Sequence, residues 1–261
     1  IYCLSEATLF GRDITFDQFG KYNLCIRKTL EAVYLNYNGD RLENNFRALE
    51  EYLKHVWFAS GIYHHYACDK FSPSFSEDFF RNAVLAIDAK LLPLREGESV
   101  NSLLNEICPV IFDPTILPKR VDKTDGKDIV RSSACNYYDG VSQHEVEELY
   151  AKLKKEGPAV EAPSYGLNST LVKEGDFIRE DVWKIDGKYG AAIEKIVYWL
   201  ERAKEFVEND QQLHVINLLI RYYKTGDLHD FDIYSIEWLH EQEGRIDFIN
   251  GFIEVYGDPM G

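Results

Sequence analysis

Apolar residues recur at helical spacing over most of the sequence. The clearest stripes predict helices near residues 24–37, 42–58, 190–208 and 210–224. In the second of these, Leu49, Leu53 and Val56 share one face, while Glu50 and Lys54 lie on the opposite face. The pattern therefore predicts a mainly helical fold.

Capping residues indicate where several helices begin and end. Ser76 is predicted to cap the start of one helix. Ser142 and Glu145 have the S-x-x-E form of a capping box, which predicts a helix that ends near Gly157. Gly226 is predicted to close the helix over residues 210–224.

Prolines predict one further boundary. A helix is expected to begin near Val100, and Pro109 is the first of three prolines that follow it. Because proline lacks the helical N–H donor, we expect this helix to end at Ile107 and a loop to continue to Arg120.

One segment alternates with the period of a strand instead. Residues 246–256 are predicted to form a strand, with Phe252, Glu254 and Tyr256 on one face. We expect few other strands, because the partners of this one lie partly outside the chain. An edge that lacks its partners favours self-association.

The chain is predicted to form a single α+β, mainly α-helical unit over residues 1–261. A stretch near 157–169 with prolines and glycines is interpreted as an internal loop. The sequence begins with Ile1 instead of Met and ends at Gly261 in turn-forming residues. We therefore expect a fragment of a longer protein.

Charge and hydropathy exclude two classes of partner. The 261 residues include 29 Lys and Arg against 44 Asp and Glu, a formal net charge of -15. This excess of negative charge repels polyanions, so no nucleic acid partner is expected. Apolar stretches such as 215–220 are far shorter than the roughly 18 residues that span a bilayer, so no membrane partner is expected.

The cysteines favour a reducing compartment. There are five of them, an odd number without CxxC spacing, and each has apolar or aromatic neighbours. Buried free thiols are therefore predicted, and a cytoplasmic location is expected.

The histidines do not complete a metal site. His144 and His240 each precede a glutamate, as at the start of a zinc-peptidase helix, but Glu148 and Gly244 occupy the positions of the second histidine. The adjacent pair His64-His65 diverges on a strand or a helix, which favours a hydrogen-bonding role. No catalytic residue and no metal ligand is predicted within this chain.

The most specific motif is at the C-terminal end. Residues 250–259 read Asn-Gly-Phe-Ile-Glu-Val-Tyr-Gly-Asp-Pro. This segment resembles a motif of the dipeptidyl peptidase III family that reads approximately G-F-I-E-x-Y-x-D-P-x-G. The resemblance, closest to the bacterial, Bacteroides-type branch, extends to Trp238, residues 246–249, residues 56–61, His64-His65-Tyr66 and Asp69-Lys70-Phe71.

The resemblance implies a zinc exopeptidase that removes dipeptides from the N-termini of short peptides. Family members carry a zinc-binding helix, H-E-x-x-G-H, in an upper lobe, and the family pattern places it beyond Gly261. This chain is therefore expected to be the largely lower-lobe part, without zinc and inactive on its own. The implied partners are a short peptide substrate and the remaining C-terminal part of the parent chain.

Two residues of the motif are candidates for substrate binding. The resemblance implies that Glu254 holds the N-terminal ammonium of the substrate and that Tyr256 contacts the substrate near the scissile bond. A strand would place both side chains on the same face. The alternatives are an outward-facing Glu254 beside a half-buried Tyr256, and, for the whole chain, a non-catalytic helical peptide-binding or scaffold module.

Overall fold

The computed structural model describes residues 1–157, 163–249 and 257–260. The chain divides into two compact units. Phe16–Asn136 form the helical unit, and Ile1–Thr15 with Tyr137–Gly261 form the mixed unit. The expectation that both belong to one lobe stays a prediction.

Helices make up most of the described chain, and the strands form one small sheet. The α-helices are α1 (Tyr2–Phe19), α2 (Asn23–Asn36), α3 (Asn44–Ala59), α4 (Glu77–Leu85), α5 (Val100–Phe112), α6 (Ile129–Ser132), α7 (Gln143–Glu156), α8 (Gly190–Ala203), α9 (Asp210–Thr225) and α10 (Leu228–His240). The strands are β1 (Tyr138–Asp139), β2 (Ser169–Glu174) and β3 (Phe177–Val182). The predicted α+β, mainly helical fold class is confirmed. Within the described residues, no helix combines the length and the apolarity that crossing a bilayer requires.

The helical unit is built around one hydrophobic core. The predicted stripe of α3 is confirmed, because Leu49, Leu53 and Val56 are fully buried. α3 ends in a left-handed turn, with φ of 55° at Ser60 and 153° at Gly61. A Cβ at Gly61 would lie 2.1 Å from Asn23 Nδ2, so this turn requires glycine.

The predicted end of α5 at Ile107 is wrong. The helix continues through Pro109 to Phe112. Cys108, Val110 and Ile111 are all buried, and their packing outweighs the missing proline N–H, which costs about 3 kcal/mol in a helix interior.

Lys70 satisfies the carbonyl groups at the end of α5. Its Nζ donates to the carbonyl oxygens of Val110, Asp113 and Ile116 at 2.8, 2.5 and 2.7 Å. An ammonium at this position is also attracted to the partial negative charge of the helix C-terminus. One side chain therefore stabilises the helix end and the turn that follows it.

The sheet of the mixed unit was not predicted from the sequence. β2 pairs antiparallel with β3 through a two-residue loop that begins at Gly175, whose φ is 62°. β1 pairs parallel with β2. Trp183, which follows β3, is buried, and its Nε1 donates to Thr170 Oγ1 at 3.1 Å. Asn168 Nδ2 donates to the Gly226 carbonyl at 2.9 Å, which connects the start of β2 to the end of α9.

The predicted caps are confirmed. Ser76 Oγ accepts from the Phe79 amide. Ser142 and Glu145 form the complete capping box of α7. Lys173 of β2 forms an ion pair with Glu145 at 2.5 Å. Gly226 closes α9 with a φ of 70°.

The predicted strand over residues 246–256 is wrong where it can be assessed. Residues 246–249 form no strand, and residues 250–256 lie outside the described residues. Side chains take the place of a strand partner, since Glu208 accepts from the Ile246 amide at 3.3 Å and Gln212 donates to the Ile246 carbonyl at 2.9 Å.

The five cysteines are all described, and none is in a disulfide. Cys108 and Cys135 are buried, and the other three are half-buried. Burial raises the pKa of Cys25 and of Cys108 to about 11. Of the predicted buried free thiols, those of Cys108 and Cys135 are in the core, and the other three are only partly buried.

Replacing Lys70 tests the role of this residue at the end of α5. We expect Lys70→Met to lower the free energy of unfolding by about 1.5–3 kcal/mol, because three carbonyls lose a charged donor. Urea denaturation of the purified protein measures the change. The matched control is Lys54→Met on the exposed face of α3, where the lysine pairs with Glu50; it should change stability by less than about 0.5 kcal/mol. Equal effects of the two substitutions would contradict the assignment.

Candidate functional site

The two candidate substrate-binding residues, Glu254 and Tyr256, lie outside the described residues. The structure describes Gly257–Met260, which follow them directly in the same motif. Gly257 and Pro259 are buried. The end of the motif is therefore embedded in the mixed unit.

The Asp258 carboxylate holds this end of the motif in place. Tyr138 Oη donates to the carboxylate and lies 2.8 and 2.9 Å from its two oxygens. The Met260 amide donates to Oδ1 at 2.9 Å. Tyr138 belongs to β1 and pairs with Leu171 of β2. The sheet therefore fixes the path of the chain at residue 258.

A second half-buried tyrosine, Tyr150, lies near this carboxylate. Burial raises the pKa of Tyr150, and the negative charges of Asp258 and Glu180 raise it further. Its hydroxyl lies against Gly166, where a Cβ would come within 2.4 Å of Tyr150 Oη. Ser169 Oγ donates to Glu180 at 3.0 Å. Asp258 and Glu180 are therefore near enough to Tyr150 for their negative charges to act on its hydroxyl group.

The geometry gives Asp258 an anchoring role. Burial raises its pKa, whereas the hydrogen bonds from Met260 and Tyr138 act in the opposite direction. Tyr138 and Met260 thus tie the carboxylate to the sheet and to the backbone that follows it. The carboxylate therefore fixes the backbone of the motif.

The histidines of the described chain act as hydrogen-bonding and surface residues. His64 Nδ1 accepts from the amides of Tyr66 and Ala67 at 3.3 and 3.1 Å. The hydrogen-bonding role predicted for the pair His64-His65 is therefore confirmed for His64. His144 and His240 have largely exposed side chains. Across residues 1–157, 163–249 and 257–260, no group of three His, Cys, Asp or Glu side chains could hold a metal ion.

The resembling segments that belong to the helical unit have structural roles there. Trp57 Nε1 donates to Glu31 Oε1 at 2.7 Å, which connects α3 to α2. Lys70 binds the end of α5, and the Phe71 amide donates to the Ile62 carbonyl at 2.8 Å. These side chains stabilise the fold.

Comparison with known proteins identifies the family. Residues 131–261 match the sequence profile of peptidase family M49. The chain belongs to this family. The match includes Tyr138 and Asp258 as well as the whole C-terminal motif, and the resemblance to dipeptidyl peptidase III is confirmed.

Two relatives of this chain share little sequence identity with it. Dipeptidyl peptidase 3 of Nematostella vectensis is 22% identical over 247 residues, which cover 84% of this chain and 33% of that protein. The structure of DPP III from Caldithrix abyssi is similar with a TM-score of 0.53 and 15% identity, covering 93% of this chain and 33% of that one. The second comparison supports the fold, and the chain spans about a third of the length of both relatives.

Sequence reasoning did not find Tyr138 or Tyr150. Tyr138 lies 120 residues before Asp258, so no local spacing connects the two residues. The usable signal was the motif itself, which placed an aspartate before Pro259. Tyr138, which donates a hydrogen bond to this aspartate, could be found only from the fold of this M49 chain.

The raised pKa of the half-buried Asp258 predicts a distinct dependence of stability on pH. Its pKa is raised above the ordinary 3.8, so its contribution to stability is full below pH 3.8 and is lost as pH rises through the raised pKa. Asp258→Asn keeps an acceptor for Tyr138 and removes the charge. We therefore expect the stability of this variant, relative to wild type, to increase as pH rises from about 4 toward 7. Thermal unfolding followed over this range measures the trend.

Glu145→Gln is the matched variant of opposite sign. Lys173 and Ser142 lower the pKa of Glu145 from 4.5 to about 2, so the stability that this carboxylate contributes is present above pH 4.5 and is lost as pH falls toward 2. The advantage of wild type over this variant should shrink on acidification. The same slope for both variants would refute the assignment of Asp258.

Proposed function

We propose that this chain forms one wall of the substrate cleft in a zinc-dependent dipeptidyl peptidase of family M49. In this role it recognises the N-terminal amine of a short peptide. The observation that carries the proposal is the match of residues 131–261 to the family, which includes the motif at residues 250–259. The bond from Tyr138 to Asp258 supports it, because it gives the end of that motif a fixed position.

Glu254 is proposed to bind the substrate ammonium. A carboxylate and an ammonium in a partly desolvated cleft form a charge-assisted hydrogen bond, worth about 1.5–3 kcal/mol. Such a contact selects a free N-terminus over a blocked one. It also sets the distance from that end to the bond that is cleaved, which is what removal of a dipeptide requires.

Tyr256 is proposed to contact the substrate near the scissile bond. It lies two residues after Glu254, and an extended backbone would place both side chains on one face. A phenol donor at this position can stabilise negative charge that develops on the reacting carbonyl oxygen.

The metal of the proposed enzyme would be held outside this chain. No described group of side chains provides three ligands for it, so no step of the reaction is assigned to these residues through zinc. We propose that the chain alone binds no stoichiometric zinc and hydrolyses no dipeptidyl substrate.

Substitution of Glu254 in the full-length protein tests amine recognition. Glu254→Gln keeps the shape and removes the charge, so kcat/KM on a free-amine dipeptidyl arylamide should fall about 10- to 150-fold. The acetylated arylamide should be a poor substrate of wild type and should lose little more. The control is Glu243→Gln at an exposed position of the same region, which should leave kcat/KM unchanged.

Two results would contradict the proposal in different ways. Unchanged kcat/KM for Glu254→Gln would remove the amine-binding role. A full-length protein that holds no zinc by metal analysis and cleaves no arylamide would favour the non-catalytic peptide-binding or scaffold module.

Tyr256→Phe should have a different kinetic signature. If the hydroxyl meets the substrate mainly in the transition state, kcat falls while KM changes little. Steady-state kinetics on the free-amine substrate separate the two constants. A rise in KM with unchanged kcat would instead indicate a contact made equally in the ground state.

A further inference from the structure

The helical unit contains a buried arginine without a carboxylate partner. Arg120 is 4% exposed. Its Nη2 donates to the His65 carbonyl at 2.8 Å, and its Cζ lies 4.6 Å from the centre of the Phe19 ring. Among the described residues, its Nε and Nη1 have no hydrogen-bond partner, and no carboxylate forms an ion pair with it. Because a guanidinium is always charged, a buried one favours negative charge on a neighbouring group.

The Cys68 thiol is a neighbouring group that can carry negative charge. Arg120 Nη2 donates to Cys68 Sγ at 3.8 Å. The thiol in turn donates to the Tyr66 carbonyl at 3.7 Å. A hydrogen bond from a guanidinium stabilises negative charge on the atom that accepts it. The contact therefore favours a nucleophilic sulfur at this position, because the thiolate is the reactive form of cysteine.

Backbone hydrogen bonds hold Cys68 against Arg120. Cys68 has a φ of 64°, in the left-handed region that residues with a Cβ rarely adopt. Its amide donates to the His64 carbonyl at 3.0 Å, and its carbonyl accepts from the Arg120 amide at 2.8 Å. The Arg120 carbonyl accepts from the amide of Ala134 at 3.1 Å. The sulfur and the guanidinium are thus brought together by three segments of the helical unit.

Cys68 also differs from other thiols of the chain in its surroundings. It is half-buried, whereas Cys108 and Cys135 are buried. Cys25 is half-buried as well, but burial and the negative charge of Glu98 raise its pKa to about 11. Cys68 therefore combines partial exposure with an adjacent buried cation, and a small polar oxidant can reach it.

We propose that Cys68 is an oxidation site for hydrogen peroxide and that Arg120 promotes the reaction. The sulfur attacks one peroxide oxygen, so that an S–O bond forms while the O–O bond breaks. The sulfur gives up two electrons, which the peroxide takes up. The second oxygen leaves as hydroxide and forms water with the proton of the thiol. The product is the sulfenic acid of Cys68, and Arg120 stabilises the negative charge on the sulfur during the attack.

Residue-resolved trapping of sulfenic acids tests the proposal. The folded full-length protein is treated with hydrogen peroxide in the presence of dimedone, which captures sulfenic acids, and the labelled peptides are quantified by mass spectrometry. Cys68 should be labelled at least about tenfold faster than Cys25, and Cys108 should stay unlabelled. Equal rates at Cys68 and Cys25 would overturn the proposal. This readout requires neither substrate nor metal, so it is independent of the proposed peptidase function.

Substitution of Arg120 tests its part in the reaction. Arg120→Met removes the charge at similar length, and Arg120→Gln removes it but keeps an amide donor for the His65 carbonyl. Each variant should lower the labelling rate of Cys68 about tenfold. Loss of the fold would act in the opposite direction, because exposure of the core would raise the labelling of Cys108. An unchanged rate at Cys68 in either folded variant would overturn the role of Arg120.

The matched control is an exposed arginine of the same unit. Arg41 is exposed, and its Cζ lies 5.3 Å from the centre of the Phe46 ring, so it also contacts an aromatic side chain. Arg41→Met should leave the labelling rate of Cys68 unchanged. A decrease equal to that in Arg120→Met would overturn the assignment, because the effect would then not depend on the cation beside the sulfur.

Discussion

Backbone N–H and C=O groups that leave water must find hydrogen-bond partners, and this chain has only a small described sheet to supply them. Where neither a helix nor the sheet supplies a partner, side chains form these hydrogen bonds. Lys70 binds three carbonyls at the end of α5, Asn168 binds the carbonyl that closes α9, and Gln212 binds the segment that leads into the family motif. The two units share this solution, although their architectures differ.

Hydrogen bonds from side chains also hold the backbone at and before the family motif. Its described end is held by a carboxylate whose donors are a tyrosine from the sheet and an amide two residues on. The residues before it are held from the start of α9. A few directed hydrogen bonds therefore hold the described backbone at Ile246 and Asp258 without a long strand.

The local features of the fold were predictable because their signals are local. Ser142 and Glu145, three residues apart, form the capping box of α7, and the Gly226 N–H that closes α9 donates to the Tyr222 carbonyl of the same helix. The prediction at Pro109 is wrong because the sequence shows the cost of proline in a helix but not the burial of the neighbouring side chains that offsets it. The strand prediction for residues 246–249 was wrong because the partners of Ile246, Glu208 and Gln212, lie at the start of α9, more than 30 residues earlier. The motif itself indicated Asp258, whereas Tyr138 became visible only when β1 had been placed.

The ammonium of Lys70 also limits which residue could replace it. Its three N–H bonds diverge as the corners of a tetrahedron, and three carbonyl oxygens from one helix end and the turn beyond it converge on that single nitrogen. A guanidinium is planar and spreads its donors over three nitrogens in a wide fork. Arginine would bring the same charge and more donors, yet it could not direct three of them from one atom toward three oxygens. Lys70→Arg, usually regarded as the most conservative substitution of a lysine, is therefore excluded here by the planar shape of the guanidinium.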